Sequence, residues 1–147
     1  MTMNDSPLML NPSHETLYER VGGDETFWAL VEAFYRRIET DPRLRPLFPD
    51  NLEAGKYHQF LFLTQYWGGP ARYELERGHP RLRMRHAPFA IDLTARDAWL
   101  GHMIAAIDEA GIGGTDRSLL VEYFERAATF MINQPEGAGD AGNDDAV

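Results

Sequence analysis

At 147 residues, 44% hydrophobic and 12% aromatic, the chain has the composition of one folded domain rather than of a disordered segment. A net charge of −9 disfavours nonspecific binding to nucleic acid or to an anionic membrane, and the absence of cysteine excludes disulfides, thiolate metal sites and thiol nucleophiles. A cysteine-free chain without a secretory start fits the cytoplasm, and no apolar run is long enough to span a bilayer, so no integral membrane segment is expected.

Residues 1–14 mix Asn, Asp, Ser and Pro and read as a disordered N-terminal extension; residues 134–147, rich in Gly, Ala and acid, read as a disordered tail. The single domain expected between them, 15–133, is helical in pattern. A short helix over 15–21 ends at Gly22-Gly23, and Asp24 is placed to cap the next one, where Phe27, Leu30, Val31, Phe34 and Ile38 recur at helical spacing. Asp41-Pro42 closes that helix. An irregular connection over 44–52 carries Leu47 and Phe48 inward. A third helix over 53–67 buries Leu63, Trp67 and either Gln59 or Phe60, and Gly68-Gly69-Pro70 breaks it. Only short helical pieces are expected over 71–86. Thr94-Ala95-Arg96-Asp97 reads as a capping-box-like start for a helix presenting Trp99, Leu100, Met103, Ile104 and Ile107. After the turn at 111–114, a last helix over 116–133 carries Leu120, Tyr123, Phe124, Ala127 and Met131. No segment alternates as a strand, so the fold class is all-α, a helical sandwich.

The densest chemistry lies in Arg77-Gly78-His79-Pro80-Arg81-Leu82-Arg83-Met84-Arg85-His86-Ala87-Pro88-Phe89. Pro88 cannot continue a helix and pushes Ala87 out of the helical region, so His86 stands where a helix must stop. One imidazole in a rigid frame with apolar neighbours suits an axial haem ligand, and the arginines around it suit haem carboxylates. The basic run equally suits a solvated helix face. Other signatures are missing: there is no phosphate-binding glycine loop followed by Lys-Ser or Lys-Thr, no H-E-x-x-H, and the five histidines have no zinc-like spacing.

This string, with Tyr66-Trp67-Gly68-Gly69-Pro70 before it, Arg96-Asp97-Ala98-Trp99-Leu100 after it and Phe34-Tyr35 upstream, resembles the truncated haemoglobins, specifically group II, the O type. The resemblance covers residues 16–133. It implies a shortened globin fold, four main helices packed two over two around haem b (iron protoporphyrin IX). It makes His86 the proximal iron ligand. It places Tyr35, Trp99 and Gln59 on the distal side as hydrogen-bond donors to a gas ligand. Gly55 falls where many globins carry a distal gate, and Phe48 where some relatives carry a second distal tyrosine. For the propionates the candidates are Arg85, Tyr73 and His58. Phe62, Leu63, Tyr66, Met84, Phe89, Ile91 and Met103 are candidate walls of the haem slot, with core packing away from haem as the alternative for each.

The function so implied is reversible binding of oxygen, and of other diatomic gases such as CO and NO, at a pentacoordinate iron, by a monomer or homodimer. The alternative is a redox role in nitric oxide or peroxide detoxification. That role needs a separate reductase, because the chain has no flavin or nicotinamide domain. A haem-free interaction module is the third reading.

Overall fold

The computed structural model describes residues 15–134, so the expected extensions lie outside the described residues, apart from Gln134. Among the described residues there are seven α-helices and no strand: α1 (Leu17–Val21), α2 (Gly23–Glu39), α3 (Glu53–Tyr66), α4 (Arg72–Arg77), α5 (Leu82–His86), α6 (Leu93–Glu109) and α7 (Gly114–Phe130), with a 3-10 turn at Arg45–Leu47. None of these helices is long and apolar enough to cross a membrane.

The helix starts show where local chemistry decides. Thr16 and Glu19 form a reciprocal capping box on α1. Gly22 then turns at φ 118°, a left-handed conformation that a side chain resists. That turn feeds directly into α2, so Asp24 is not its cap but lies in its first turn. There its carboxylate accepts from the Tyr18 hydroxyl at 2.7 Å and from Arg72 of α4 at 2.7 and 3.2 Å, a tertiary use that outcompetes capping. The start of α6 is likewise two residues earlier than Thr94. Asp92 is the N-cap, its extended backbone letting the carboxylate accept from Ala95 N–H at 2.9 Å.

Helix α2 is the centre of the domain. It packs against α1, α3 and α6, and α6 packs in turn on α7. Its stripe of Phe27, Leu30, Val31, Phe34 and Ile38 is fully buried, meeting Leu17 of α1, Leu63 of α3, Met103 and Ile107 of α6, and Leu120 of α7. The helix ends at Glu39, and the chain is turned by Asp41, one of two buried polar side chains among the described residues.

The Asp41 carboxylate accepts from Arg43 N–H at 2.8 Å, from the Arg43 guanidinium at 3.1 and 3.2 Å, and from His102 Nε2 on α6 at 2.7 Å. Arg43 above all, then His102, holds its carboxyl well below the usual carboxylate range. A carboxyl depressed by folding contributes stability above its ordinary pKa, and that stability is lost as pH falls towards the folded value. Asp41→Ala is therefore expected to cost about 1.5–3 kcal/mol at neutral pH, the scale of a charge-assisted hydrogen bond. Urea denaturation at neutral and acidic pH checks this: the gap between parent and variant should be full at neutral pH and narrow progressively as pH falls below about 4.

Candidate functional site

The layers do not close everywhere. Between α2, α3, α6 and α7, with α4, α5 and the 3-10 turn at its rim, they leave a cavity of ≈ 360 Å³. Helix α3 turns Gly55, His58, Gln59 and Phe62 towards it, the i, i+3, i+4, i+7 stripe of one helical face, together with Leu63. Helix α5 contributes Leu82, Arg85 and His86 by the same rule. Tyr35, Phe48, Tyr73, Phe89, Ile91 and Trp99 complete the set of expected site residues that the fold brings together.

Tyr66 and Met84 do not join them. On α3 the stripe runs on to Tyr66, but Tyr123 of α7 fills that end of the cavity, and the Tyr66 ring lies over Tyr123 at 4.5 Å between centroids, 39% exposed. On a five-residue helix that turns residues 82, 85 and 86 inward, Met84 points away and is 60% exposed. Met103 is wholly buried in the core and is not part of the lining. The sequence reading also passed over Arg77, Arg96 and Tyr123, which do line the cavity. Arg77 stood in the basic run without being singled out, and Tyr123 lay on the α7 apolar stripe.

Two histidines line the cavity, and their surroundings separate them. His58 has Arg77 Nη1 2.9 Å from Nε2 and 3.1 Å from Nδ1. A single nitrogen almost equidistant from both ring nitrogens lies against the ring face rather than along either in-plane lone pair, so the contact sets the Arg77 charge against the imidazole. Burial and then the Arg77 charge push the His58 pKa below its ordinary value. In His86, Nδ1 lies 2.7 Å from the carbonyl oxygen of Leu82, one turn earlier on α5. A carbonyl only accepts, so Nδ1 carries the proton and Nε2 keeps a free lone pair. That tautomer is the one a metal-ligating histidine adopts when its other nitrogen is tied to a backbone carbonyl.

Three further polar groups face this apolar space without a protein partner. Tyr35 is 6% exposed, and burial pushes its pKa up to about 12, so the phenol stays protonated and able to donate. No hydrogen bond among the described residues engages its hydroxyl or the indole N–H of Trp99, whose ring packs edge-on to Phe34 at 5.2 Å. The Gln59 side-chain oxygen is buried and unpaired. Polar groups that packing leaves without a protein partner gather here around one apolar cavity.

Residues 16–133 match the family described as bacterial-like globin. The chain belongs to the globins, on their group II truncated branch. It is 42% identical over 127 residues to the "Group 2 truncated hemoglobin YjbI" of Bacillus subtilis, covering 86% of this chain and 96% of that one. The crystal structure of a hemoglobin from Chloroflexus aurantiacus superposes with a TM-score of 0.79 at 58% identity, covering 80% of this chain and 98% of that one. The X-ray structure of truncated oxygen-avid haemoglobin from Bacillus subtilis superposes with a TM-score of 0.76 at 44% identity, covering 80% of this chain and 98% of that one.

The cavity of this globin fits the haem that its family implies. A slot walled by Phe48, Phe62, Leu63, Phe89 and Ile91 is apolar enough for a porphyrin. A free imidazole nitrogen is available at His86. Cations stand at the lining: Arg85, anchored through Nε to the Pro80 carbonyl at 2.7 Å, and Arg77, whose guanidinium carbon lies 5.9 Å from the Tyr73 ring centre. Arg96 is already committed to Asp97 and Thr129.

Gly55 explains why Tyr35 can reach the cavity at all. A Cβ built on Gly55 would stand 2.8 Å from the Tyr35 hydroxyl oxygen, closer than real contacts allow. Gly55→Val is therefore expected to displace the phenol. The overpacking should cost about 1–3 kcal/mol. Thermal unfolding of the parent and variant checks the loss.

Proposed function

We propose that this globin reversibly binds oxygen, and other diatomic gases, with slow release. The haem proposed is haem b, held without a covalent attachment because the sequence has no cysteine to form a thioether. When bound, it supplies a ferrous iron at which a small gas can be held. His86 would hold the iron through Nε2, and the Leu82 carbonyl fixes that ring's tautomer by accepting from Nδ1. Tyr35 and Trp99 donate hydrogen bonds to the gas, and Gln59 joins them through its amide. Arg85, Arg77, Tyr73 and His58 serve the porphyrin carboxylates.

One observation carries this reading. A single apolar cavity holds a free imidazole lone pair together with a phenol and an indole N–H that have no protein acceptor. Two donors in a dry pocket strengthen binding of a polarised gas more than they would in water, so release becomes the slow step. A slow-releasing protein serves sensing, scavenging or delivery to a partner better than bulk storage. The Bacillus subtilis relative described as oxygen-avid has the same fold.

The test is the absorption spectrum of the purified protein in ferric, ferrous and carbon monoxide forms, followed by oxygen titration of the ferrous form. A Soret band with ligand-dependent shifts and reversible oxygenation supports the proposal. Haem-free protein after expression with ample haem, or irreversible oxidation on first contact with oxygen, would overturn it.

A further inference from the structure

Helix α5 is too short to hold His86 by itself. Five residues make barely more than one turn, and isolated helices of that length are unstable. Its N-cap, Arg81, sits at φ 47°, the one non-glycine residue with positive φ among those described. Beyond His86, residues 87–92 form no regular element: the N–H groups of Ala87 and Phe89 close local turns on the Met84 and His86 carbonyls at 3.2 and 3.0 Å, but the Ile91 N–H and the carbonyls of Phe89 and Ile91 need partners from elsewhere. Those partners come from the far end of the chain, where α7 stops.

Asn133 supplies most of them. Its Oδ1 accepts from Ile91 N–H at 2.9 Å, and its Nδ2 donates to the Phe89 carbonyl at 2.8 Å and, at 3.5 Å, to the carbonyl of His86 itself. The backbone closes the same joint: the N–H groups of Asn133 and Gln134 donate to the Ile91 carbonyl at 2.8 and 3.1 Å. Arg83 of α5 adds a further tie, donating to the Ile132 carbonyl at 3.1 Å.

We propose that Asn133 is a positioning residue for the haem ligand, a side-chain clamp that fixes the carbonyl end of α5 and so sets how the His86 imidazole meets the iron. The inference rests on the reading of His86 as that ligand. The chemistry of the joint selects asparagine. Ile91 N–H can only donate and the carbonyls of Phe89 and His86 can only accept, so the clamp needs one acceptor and one donor group on a short planar arm. Aspartate keeps the acceptor but sets a carboxylate against two carbonyl oxygens. Leucine keeps the volume and loses both functions. Three of the residues so tied, His86, Phe89 and Ile91, line the cavity, so the clamp orders the wall as well as the ligand.

The test uses the haem-loaded full-length chain and the variants Asn133→Leu and Asn133→Asp. Arg20→Ala is the control, because it breaks an ion pair with Asp116 at the opposite end of α7. Three quantities are read: the iron–histidine stretching band by resonance Raman, transfer of haem to excess apomyoglobin, and hydrogen exchange of the peptide spanning residues 89–92. In Asn133→Leu the band should shift and broaden, while haem transfer and amide exchange each quicken by about tenfold, the equivalent of losing a charge-free hydrogen bond or two. Asn133→Asp should perturb the band similarly but keep the Ile91 amide protected, since that acceptor survives. If the leucine variant does not fold, the aspartate variant decides by its band. An unmoved band in both variants overturns the proposal, as does an equal shift in Arg20→Ala. Failure of the haem reading shows separately, as full haem retention in His86→Ala.

Discussion

Purified His86→Ala is expected to carry little or no haem. Of the two histidines that line the cavity, His58 has the Arg77 cation against its ring, within 3.1 Å of both nitrogens, whereas His86 has Nδ1 tied to the Leu82 carbonyl and Nε2 left as an unengaged lone pair. Removing the ligand itself should cost more than the roughly 10–100-fold that follows loss of an outer-shell partner. Because haem binds the folded chain and not the unfolded one, the variant should also unfold at lower temperature than the loaded parent. Haem content by pyridine haemochrome and the Soret band measure the first effect, and thermal unfolding measures the second. Added imidazole, filling the space left by the ring, should restore part of the haem. His58→Ala serves as the comparison and should lose less haem than His86→Ala, since Arg85, Arg77 and Tyr73 remain for the porphyrin carboxylates. Normal haem content with an unchanged ferrous carbon monoxide spectrum in His86→Ala would remove the proposed ligand.

The second large effect is kinetic. Trp99→Phe is expected to speed oxygen release by about tenfold or more and to change association much less. Phenylalanine keeps the packing on Phe34 and Phe124 but deletes the indole N–H. A hydrogen bond to a charged acceptor contributes about 1.5–3 kcal/mol, and 1.4 kcal/mol is a decade in rate. Association is spared because the bond forms only after the gas has arrived. Tyr35→Phe should move in the same direction, since its hydroxyl is a second donor without a protein acceptor. The double variant should fall short of additivity because both donors share one acceptor. Displacement of oxygen by carbon monoxide in a stopped-flow instrument reads all three. An unchanged release rate in Trp99→Phe would reduce the indole to packing and leave the gas to Tyr35 and Gln59.

The helices were legible because their signals are local. Apolar residues three and four apart, Gly22-Gly23, Gly68-Gly69-Pro70 and Pro88 mark where helices run and stop within a turn or two of the residues concerned. The errors arose where a polar residue had two possible uses. Asp24 could cap α2 or hold Arg72, and it holds Arg72, 48 positions away. Thr94 looked like a cap, but Asp92 had the extended backbone and the carboxylate. Tyr66 and Met84 stand beside residues that line the cavity and are not in its lining themselves, Tyr66 stacked on Tyr123 and Met84 exposed.

By itself the sequence determined an all-helical domain, a histidine stranded at a forced helix end, an absence of thiol chemistry, and a pattern of aromatic and basic residues resembling group II truncated haemoglobins. Only the tertiary structure decided which polar groups are left without partners. The His86 tautomer depends on a carbonyl within its own helix, but the His58–Arg77 contact, the approach of Gly55 to the Tyr35 hydroxyl and the Asn133 joint each link residues 19 or more positions apart. Helical periodicity is a property of neighbouring residues. Hydrogen-bond satisfaction is a property of the whole packed chain, and the donors proposed to meet the gas are ones that this packing leaves without a protein partner.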